Sequence, residues 1–381
     1  MPAATTMPDP PRRARSGLRG FEGPLPSAPR ISALWWLVGP VSLVMVLMIV
    51  GILAMHVPYV TLSPGGARPV EDLVEVKQKA GGPKIVEDPP DHDLLYLTVS
   101  VGNPTGLQAL IGVFDAKTEV EPSAPYRGTQ SPDEDRKLNL ALMSDSQDKA
   151  RKVALERLGY KVVSNPIGAF LQDVDPSFPV AKVIKPGATV VAIDGKDIPG
   201  ATQLVAAIQA HKAGDQIRVT SIPLGSDQPV TVTARLLASK DPANKGTATL
   251  GVSAVDRFSY TYPIDIEINT QEVGGPSAGL SFTLAILDRL TRGDLLGKER
   301  VAVTGTIELD GSVGPVGGVR HKAEAAISQG AKLMIVPKEE YAEAKKAAGS
   351  RLHVEAVTSL DQALAVLKRY GGDPLPVAKA P

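Results

Sequence analysis

Ser277 stands in the run Gly274-Gly275-Pro276-Ser277-Ala278-Gly279, and Lys322 closes the run Gly317-Gly318-Val319-Arg320-His321-Lys322. Pro276 suits a first helical turn, because its fixed φ matches the helix and no needed donor is lost. The spacing therefore predicts Ser277 in the first turn of a helix. There the backbone N–H groups lack helical partners and the dipole favours an oxyanion. Glycines around it leave room for a peptide backbone to approach. Such a serine fits a nucleophile; it also fits an ordinary capping residue. A nucleophile needs a base. Lys322 is expected in the first turn of its own helix, where burial and the dipole both disfavour an ammonium and lower its pKa. A neutral Lys322 amine can take the proton of Ser277. The alternative is a solvated surface lysine. His321 is the only histidine that lies in a motif, and nothing nearby supports it as the base.

Composition removes other chemistries. The 381 residues carry 41 basic and 41 acidic side chains and no cysteine. Zero net charge argues against a nucleic-acid binder. Without cysteine there is no disulfide, thiol nucleophile or thiolate metal site. The histidines (His56, His92, His211, His321, His353) form no H-x-x-x-H pair, and no G-x-x-x-x-G-K-[ST] occurs. No metal, cofactor or ATP is therefore expected. At roughly 100–200 residues per domain, the length suggests two or three domains.

The elements that must position Ser277 and Lys322 follow from hydrophobic periodicity. Residues 262–269 alternate Ile264, Ile266 and Ile268 with polar partners, a half-buried strand. Residues 301–309 read as a strand, Asp310-Gly311 as a hairpin turn and 312–316 as the return. A helix opens at Gly317-Gly318 and ends near Gly330. Residues 332–336 read as a strand, 339–348 as a helix and 353–357 as a strand; Ser359 to Gln362 forms a capping box for a last helix. This alternation predicts an α/β domain. Upstream, residues 94–101 read as a buried strand and 139–158 as a helix with Gly159 at its C-cap. Residues 119–134 read as loop.

The N-terminal third has a different character. Residues 33–55 are 23 residues without a charge. As a helix they would reach about 35 Å, enough for a hydrocarbon core of roughly 30 Å. Trp35 and Trp36 sit where indoles favour the interface. A cleaved signal peptide is the rival, but the run exceeds the usual core of about 7–15 residues and no A-x-A site follows. Arg12, Arg13, Arg15, Arg19 and Arg30 precede the run, and only Arg68 follows within residues 56–75. Positive charge stays inside, so the N-terminus is expected in the cytoplasm and the remainder outside the cell membrane. The Pro/Ala/Arg-rich tail 1–32 and the end 371–381 are expected to be disordered.

Between the two α/β stretches lie two short β runs around Lys185-Pro186-Gly187 within residues 182–193, the turn Asp194-Gly195, a helix over 203–211, and strands over 215–222 and 229–237. With Ser177-Phe178-Pro179-Val180-Ala181, this order resembles a PDZ domain, a module that binds an extended peptide at a sheet edge. Ala188 stands where that family commonly has Asp. A β-rich spacer that binds nothing is the alternative.

The runs GGPSAG, VTGTIELDGSVGPVGGVRHK and AAISQGAKLMIVP, in this order and spacing, resemble the proteolytic domain of Lon-type serine proteases across residues 256–367. The resemblance implies a Ser277–Lys322 dyad, with Ser277 as nucleophile and Lys322 as general base and later acid. It implies a supporting hydrogen bond from Thr304. Gly274 and Thr306 depart from the Asp and Glu common in the ATP-dependent enzymes, which bears on loop conformation and gating. The whole chain is similar to bacterial membrane-anchored, PDZ-containing Lon-like proteases. The fold expected is an α/β (α+β) Lon-type proteolytic domain with an inserted β-rich PDZ domain, after one N-terminal transmembrane helix. Its parts are the tail 1–32, the span 33–55, a connector and leading part 56–159, the PDZ domain 160–240, the proteolytic domain 241–370 and the tail 371–381. If the PDZ part is inserted, strand 94–101 is expected to pair with the sheet that holds Ile264–Ile268. The expected function is ATP-independent cleavage of extended or unfolded peptides outside the cytoplasm. Its partners are a peptide or unfolded protein, membrane lipid and, since Lon relatives form rings, further copies of itself; neither nucleic acid nor ATP is expected. The rival function is a non-catalytic scaffold, in which the PDZ part binds a partner and the Lon-like fold is inert.

Overall fold

Four buried strands lie parallel at the centre of the main body, in the order His353–Val357, Leu333–Pro337, Val301–Val303 and Leu94–Gly102. Tyr59–Pro69 and Glu119–Pro122 extend this six-stranded sheet antiparallel. The computed structural model describes residues 33–83, 85, 93–127, 130–271 and 273–375. The two central strands, Leu333–Pro337 and Val301–Val303, are short apolar runs, as strands covered on both faces must be. Side chains of the parallel strands alternate between two cores. Leu94, Tyr96, Val301, Val303 and Ile335 meet helices Pro132–Arg157, Gly279–Leu290 and Leu360–Arg369. Leu95, Leu97, Ala302, Met334 and Val336 meet helices Val319–Ser328 and Tyr341–Ala348 on the other face.

A second sheet has its own core. Its strands run Val252–Thr261, Val163–Val174, Thr189–Ile193, Gln216–Ile222 and Val230–Arg235, all antiparallel. Helix Ala201–Gln209 covers it with Leu204 and Ile208. In sequence this body lies between Leu94–Gly102 and Val301–Val303, strands that pair with each other. It is therefore inserted within the main body.

Several expectations need correction. Strand Leu94–Gly102 does not pair with the strand of Ile266 and Ile268, so the pairing expected of an insertion fails as stated, and the insertion rests instead on the pairing with Val301–Val303. That strand, Asp265–Ile268, forms a two-stranded ribbon with Val74–Lys77. The reason is in the patterns: the unbroken apolar run at 94–97 needs cover on both faces, whereas the alternating run keeps Asp265 and Glu267 exposed. The second body continues past residue 240, since Val252–Thr261 is one of its strands. Within residues 182–193 only Thr189–Ile193 is a strand; Pro179–Lys182 is a 3-10 turn.

The connector is also structured. Tyr59–Pro69 enters the main sheet with a bulge at Gly65-Gly66, where Thr98 Oγ1 accepts from Gly66 N–H at 2.8 Å. A Cβ on Gly65 would stand 2.5 Å from the Thr98 carbonyl oxygen. Glycine and proline here mark a bulge, not a loop. In the supposed loop 119–134, Glu119–Pro122 is a strand and the long helix starts at Pro132. Ser131 caps that helix reciprocally with Glu134, and Pro132 occupies the first turn. At the other end Gly372 N–H donates to Leu367 O and Asp373 N–H to Asp294 O, so residues 371–375 are held to the fold. The supposed tails 1–32 and 376–381 lie outside the described residues.

Residues 33–54 are described as a separate unit, the 22-residue helix Ala33–Ala54. Among the described residues, no helix is long and apolar enough to cross a membrane.

Replacing Ser131 by Ala removes a reciprocal cap from the longest helix of the main body. The expected loss is about 1 kcal/mol of stability, read as a lower denaturant midpoint. An unchanged midpoint would show that the cap does not hold this helix end.

Candidate active site

The stretch expected as one strand over 301–309 is broken at Thr304-Gly305, leaving Val301–Val303 and Thr306–Ile307. The break turns the chain toward Ser277. Gly305 N–H donates to the Ser277 carbonyl at 2.9 Å, and Leu280 N–H donates to Gly305 O at 3.1 Å. Gly305 has φ 156°, and a Cβ there would lie 2.8 Å from Val313 Cγ1. The Thr304 hydroxyl donates to the same Ser277 carbonyl at 3.2 Å. It accepts in turn from Lys322 Nζ at 3.1 Å. Lys322 and Ser277 are thus linked through Thr304.

Ser277 lies just ahead of its helix, not within the first turn as its spacing predicts. Helix Gly279–Leu290 has Ala278 at the N-cap, with no side-chain cap. The Ser277 carbonyl is engaged by Gly305 and Thr304, so the helix begins after it. Helix Pro132–Arg157 fixes the approach from the other side: Gly275 N–H donates to Asn139 O at 2.7 Å and Ser146 Oγ to Pro276 O at 3.0 Å. Gly275 takes φ 94°, open to glycine at little cost.

Lys322 is 3% exposed. It sits in the first turn of helix Val319–Ser328, which leaves a left-handed Gly318. Burial lowers its pKa from the usual lysine range to about 7, and the charge of Glu340 acts the other way. Glu340 is itself raised, chiefly by burial, and among the described residues its buried Oε2 has no hydrogen-bond partner. His321, also buried, faces elsewhere: its Nε2 lies 3.1 Å from Glu119 Oε2, and Arg320 pairs with the same carboxylate.

Ser277 and Lys322 both line a cavity of about 730 Å3. Gly274, Pro276 and Ala278 form one wall, Gly65, Gly66 and residues 96–101 another. Strand Leu94–Gly102 pairs with Val301–Val303 only as far as Tyr96. Beyond it, among the described residues, the strand has a ladder partner on the Tyr59–Pro69 side alone. One backbone edge of the cavity wall is therefore open to an extended chain. The arrangement offers a hydroxyl, a lysine amine that burial makes far easier to deprotonate than a solvated one, and an unpaired strand edge.

Sequence reasoning reached Ser277, Lys322 and Thr304. It missed Asn139, which acts through its backbone carbonyl, Ser146, whose hydroxyl donates to Pro276 O, and the part played by Gly305 within the VTG run. It also missed Glu340, which the sequence places at the start of the helix read over 339–348 and in no motif.

Comparison with known proteins bears on the last third of the chain. Residues 263–369 match the Lon protease (S16) C-terminal proteolytic domain. Lon protease of Trichlorobacter lovleyi is 33% identical over 109 residues, which are 28% of this chain and 13% of that one. Lon protease 2 of Herpetosiphon aurantiacus is 28% identical over 190 residues, 46% of this chain and 22% of that one. The chain thus spans less than a quarter of the length of these relatives. Among solved structures, the PDZ domain of an SdrC-like protein from Listeria monocytogenes aligns with 23% of this chain and 88% of its own, at 24% identity and a TM-score of 0.21. The sequence that holds Ser277, Thr304 and Lys322 is therefore homologous to the proteolytic domain of Lon proteases.

Proposed function

We propose that this chain is a membrane-anchored, ATP-independent serine endopeptidase with a Ser277–Lys322 dyad. The observation that carries the reading is the buried Lys322 amine, hydrogen-bonded to Thr304, whose hydroxyl is bonded to the carbonyl of Ser277. Ser277 Oγ attacks the peptide carbonyl as Lys322 Nζ takes its proton. The ammonium then protonates the leaving amine, the C–N bond breaks and an ester to Ser277 remains. Water, deprotonated by the same amine, hydrolyses the ester. Thr304 positions the amine.

The substrate class follows from the cavity. An open strand edge suits an extended peptide or unfolded segment, held by backbone hydrogen bonds. The inserted body acts as a PDZ domain that docks such a peptide; its support is the sequence resemblance. Within these residues no P-loop occurs, so substrates enter without an ATPase. The uncharged run 33–55, with arginines before it, supports an N-terminus in the cytoplasm, lipid contact and an extracytoplasmic catalytic region. Further copies of the chain are proposed partners.

Ser277→Ala in the full chain is expected to lower hydrolysis of a fluorogenic unfolded protein at least about a thousandfold, with the melting curve unchanged. Unchanged hydrolysis would overturn the assignment. The pH profile is a second test. Below about 7 Lys322 is an ammonium and cannot accept a proton, so the rate should fall about tenfold per unit on the acid side and level off above. The Glu340 carboxylate favours the ammonium, so Glu340→Gln should move this acid limb to lower pH. A limb that moves upward, or a rate that falls steadily from acid to alkaline pH, contradicts a neutral-lysine base.

A further inference from the structure

Helix Gly106–Phe114, sequence GLQALIGVF, faces the wrong way for a surface helix. Leu107, Leu110, Ile111 and Phe114 recur at i, i+3, i+4 and i+7, the spacing of an apolar stripe that normally faces a core. All four are exposed, Phe114 by 83%. The face turned to the protein carries small residues instead. Gly112 is buried, and a Cβ there would lie 2.9 Å from Val120 Cγ2. The helix is well made: Thr105 and Gln108 form a capping box. It carries no charge, and Val101 and Tyr59 are exposed as well.

Its position says what covers it. Gly106 N–H donates to the Met55 carbonyl at 2.9 Å, Val57 N–H donates to Pro104 O at 3.2 Å, and His56 bridges to Thr105. The start of this helix is thus bonded to the residue that follows Ala33–Ala54 in the chain. A nine-residue helix reaches about 14 Å, so its whole apolar stripe stays close to the point where the chain would leave a bilayer. An uncharged stripe of Leu, Ile and Phe is suited to the boundary between headgroups and acyl chains.

We propose that helix Gly106–Phe114 is an interfacial docking helix that lies on the lipid surface and holds the protease body against it. This rests on the membrane-anchor reading of residues 33–55.

The chain has no cysteine, so single labels are unambiguous. Leu110→Cys, Phe114→Cys, Leu47→Cys and Lys345→Cys in the full chain would each carry a nitroxide after reconstitution into phosphatidylcholine–phosphatidylglycerol vesicles. Collision with oxygen and with a water-soluble nickel chelate is then compared by electron paramagnetic resonance. Labels at 110 and 114 should favour oxygen, as the label at 47 does, while 345, on the helix packed at the opposite sheet edge, should favour nickel. If 47 favours oxygen but 110 and 114 behave like 345, the docking helix is refuted and the anchor stands. If 47 favours nickel, the anchor itself fails and the proposal with it. Dipolar broadening at 110 or 114 that disappears on dilution with unlabelled protein would assign the stripe to a second copy instead.

Discussion

A lysine amine held in an apolar interior governs this structure. An ammonium taken from water into a protein core without a paired charge is costly, so the group gives up its proton more readily. Lys322 lies on the same face of its helix as Val319, Ala323 and Ala326, all buried. The side chain therefore enters the core because the helix does. Burial alone sets the direction of its pKa, and Glu340 limits how far it goes. The Thr304 hydroxyl satisfies the amine without adding a charge. A carboxylate in that place would stabilise the ammonium and remove the property that makes the amine useful as a base.

That requirement explains the break in the neighbouring strand. Thr304 has to serve two partners, Lys322 and the Ser277 carbonyl, that a regular ladder would not bring to one side chain. The chain leaves the sheet after Val303, and Gly305 takes a backbone conformation poorly suited to larger residues. Leaving there has a second consequence. It withdraws the ladder partner from strand Leu94–Gly102 beyond Tyr96, so one interruption both ties the serine segment to the lysine and bares the strand edge beside them.

How much of this can be read from the residues depends on which interactions carry it. Apolar periodicity marks strand His353–Val357 and the helix ending at Gly159, because burial writes itself into residue types. Lys322 is legible for a different reason: it closes a run that opens on Gly317-Gly318 at the start of a helix, and that run resembles a Lon-type motif. The strand Tyr59–Pro69 is hidden, because Pro64, Gly65 and Gly66 signal a loop unless the pairing with Thr98 is known. Pro132 misleads similarly, being a helix start that reads as a breaker until Ser131 and Glu134 are seen to cap it. The placement of Ser277 ahead of its helix depends on two hydrogen bonds from residues 27 and 28 positions away, which no local pattern records.

The insertion follows from where its ends meet. Val163 and Thr261 are register partners, so the second body starts and finishes on adjacent strands and imposes little strain on its host. Phe258, Tyr260 and Tyr262 form a run of ring contacts along the returning strand. At its end the Tyr262 hydroxyl donates to Asp148 Oδ1 at 3.0 Å, and the Arg151 guanidinium lies over its ring. Asp148 and Arg151 belong to helix Pro132–Arg157, the helix whose Asn139 and Ser146 hold the Gly275–Pro276 approach to the serine. One continuous helix therefore carries both the junction of the inserted body and the support of Ser277. The inserted body is fixed by side-chain contacts to the element that positions the nucleophile, which a flexible linker would not achieve.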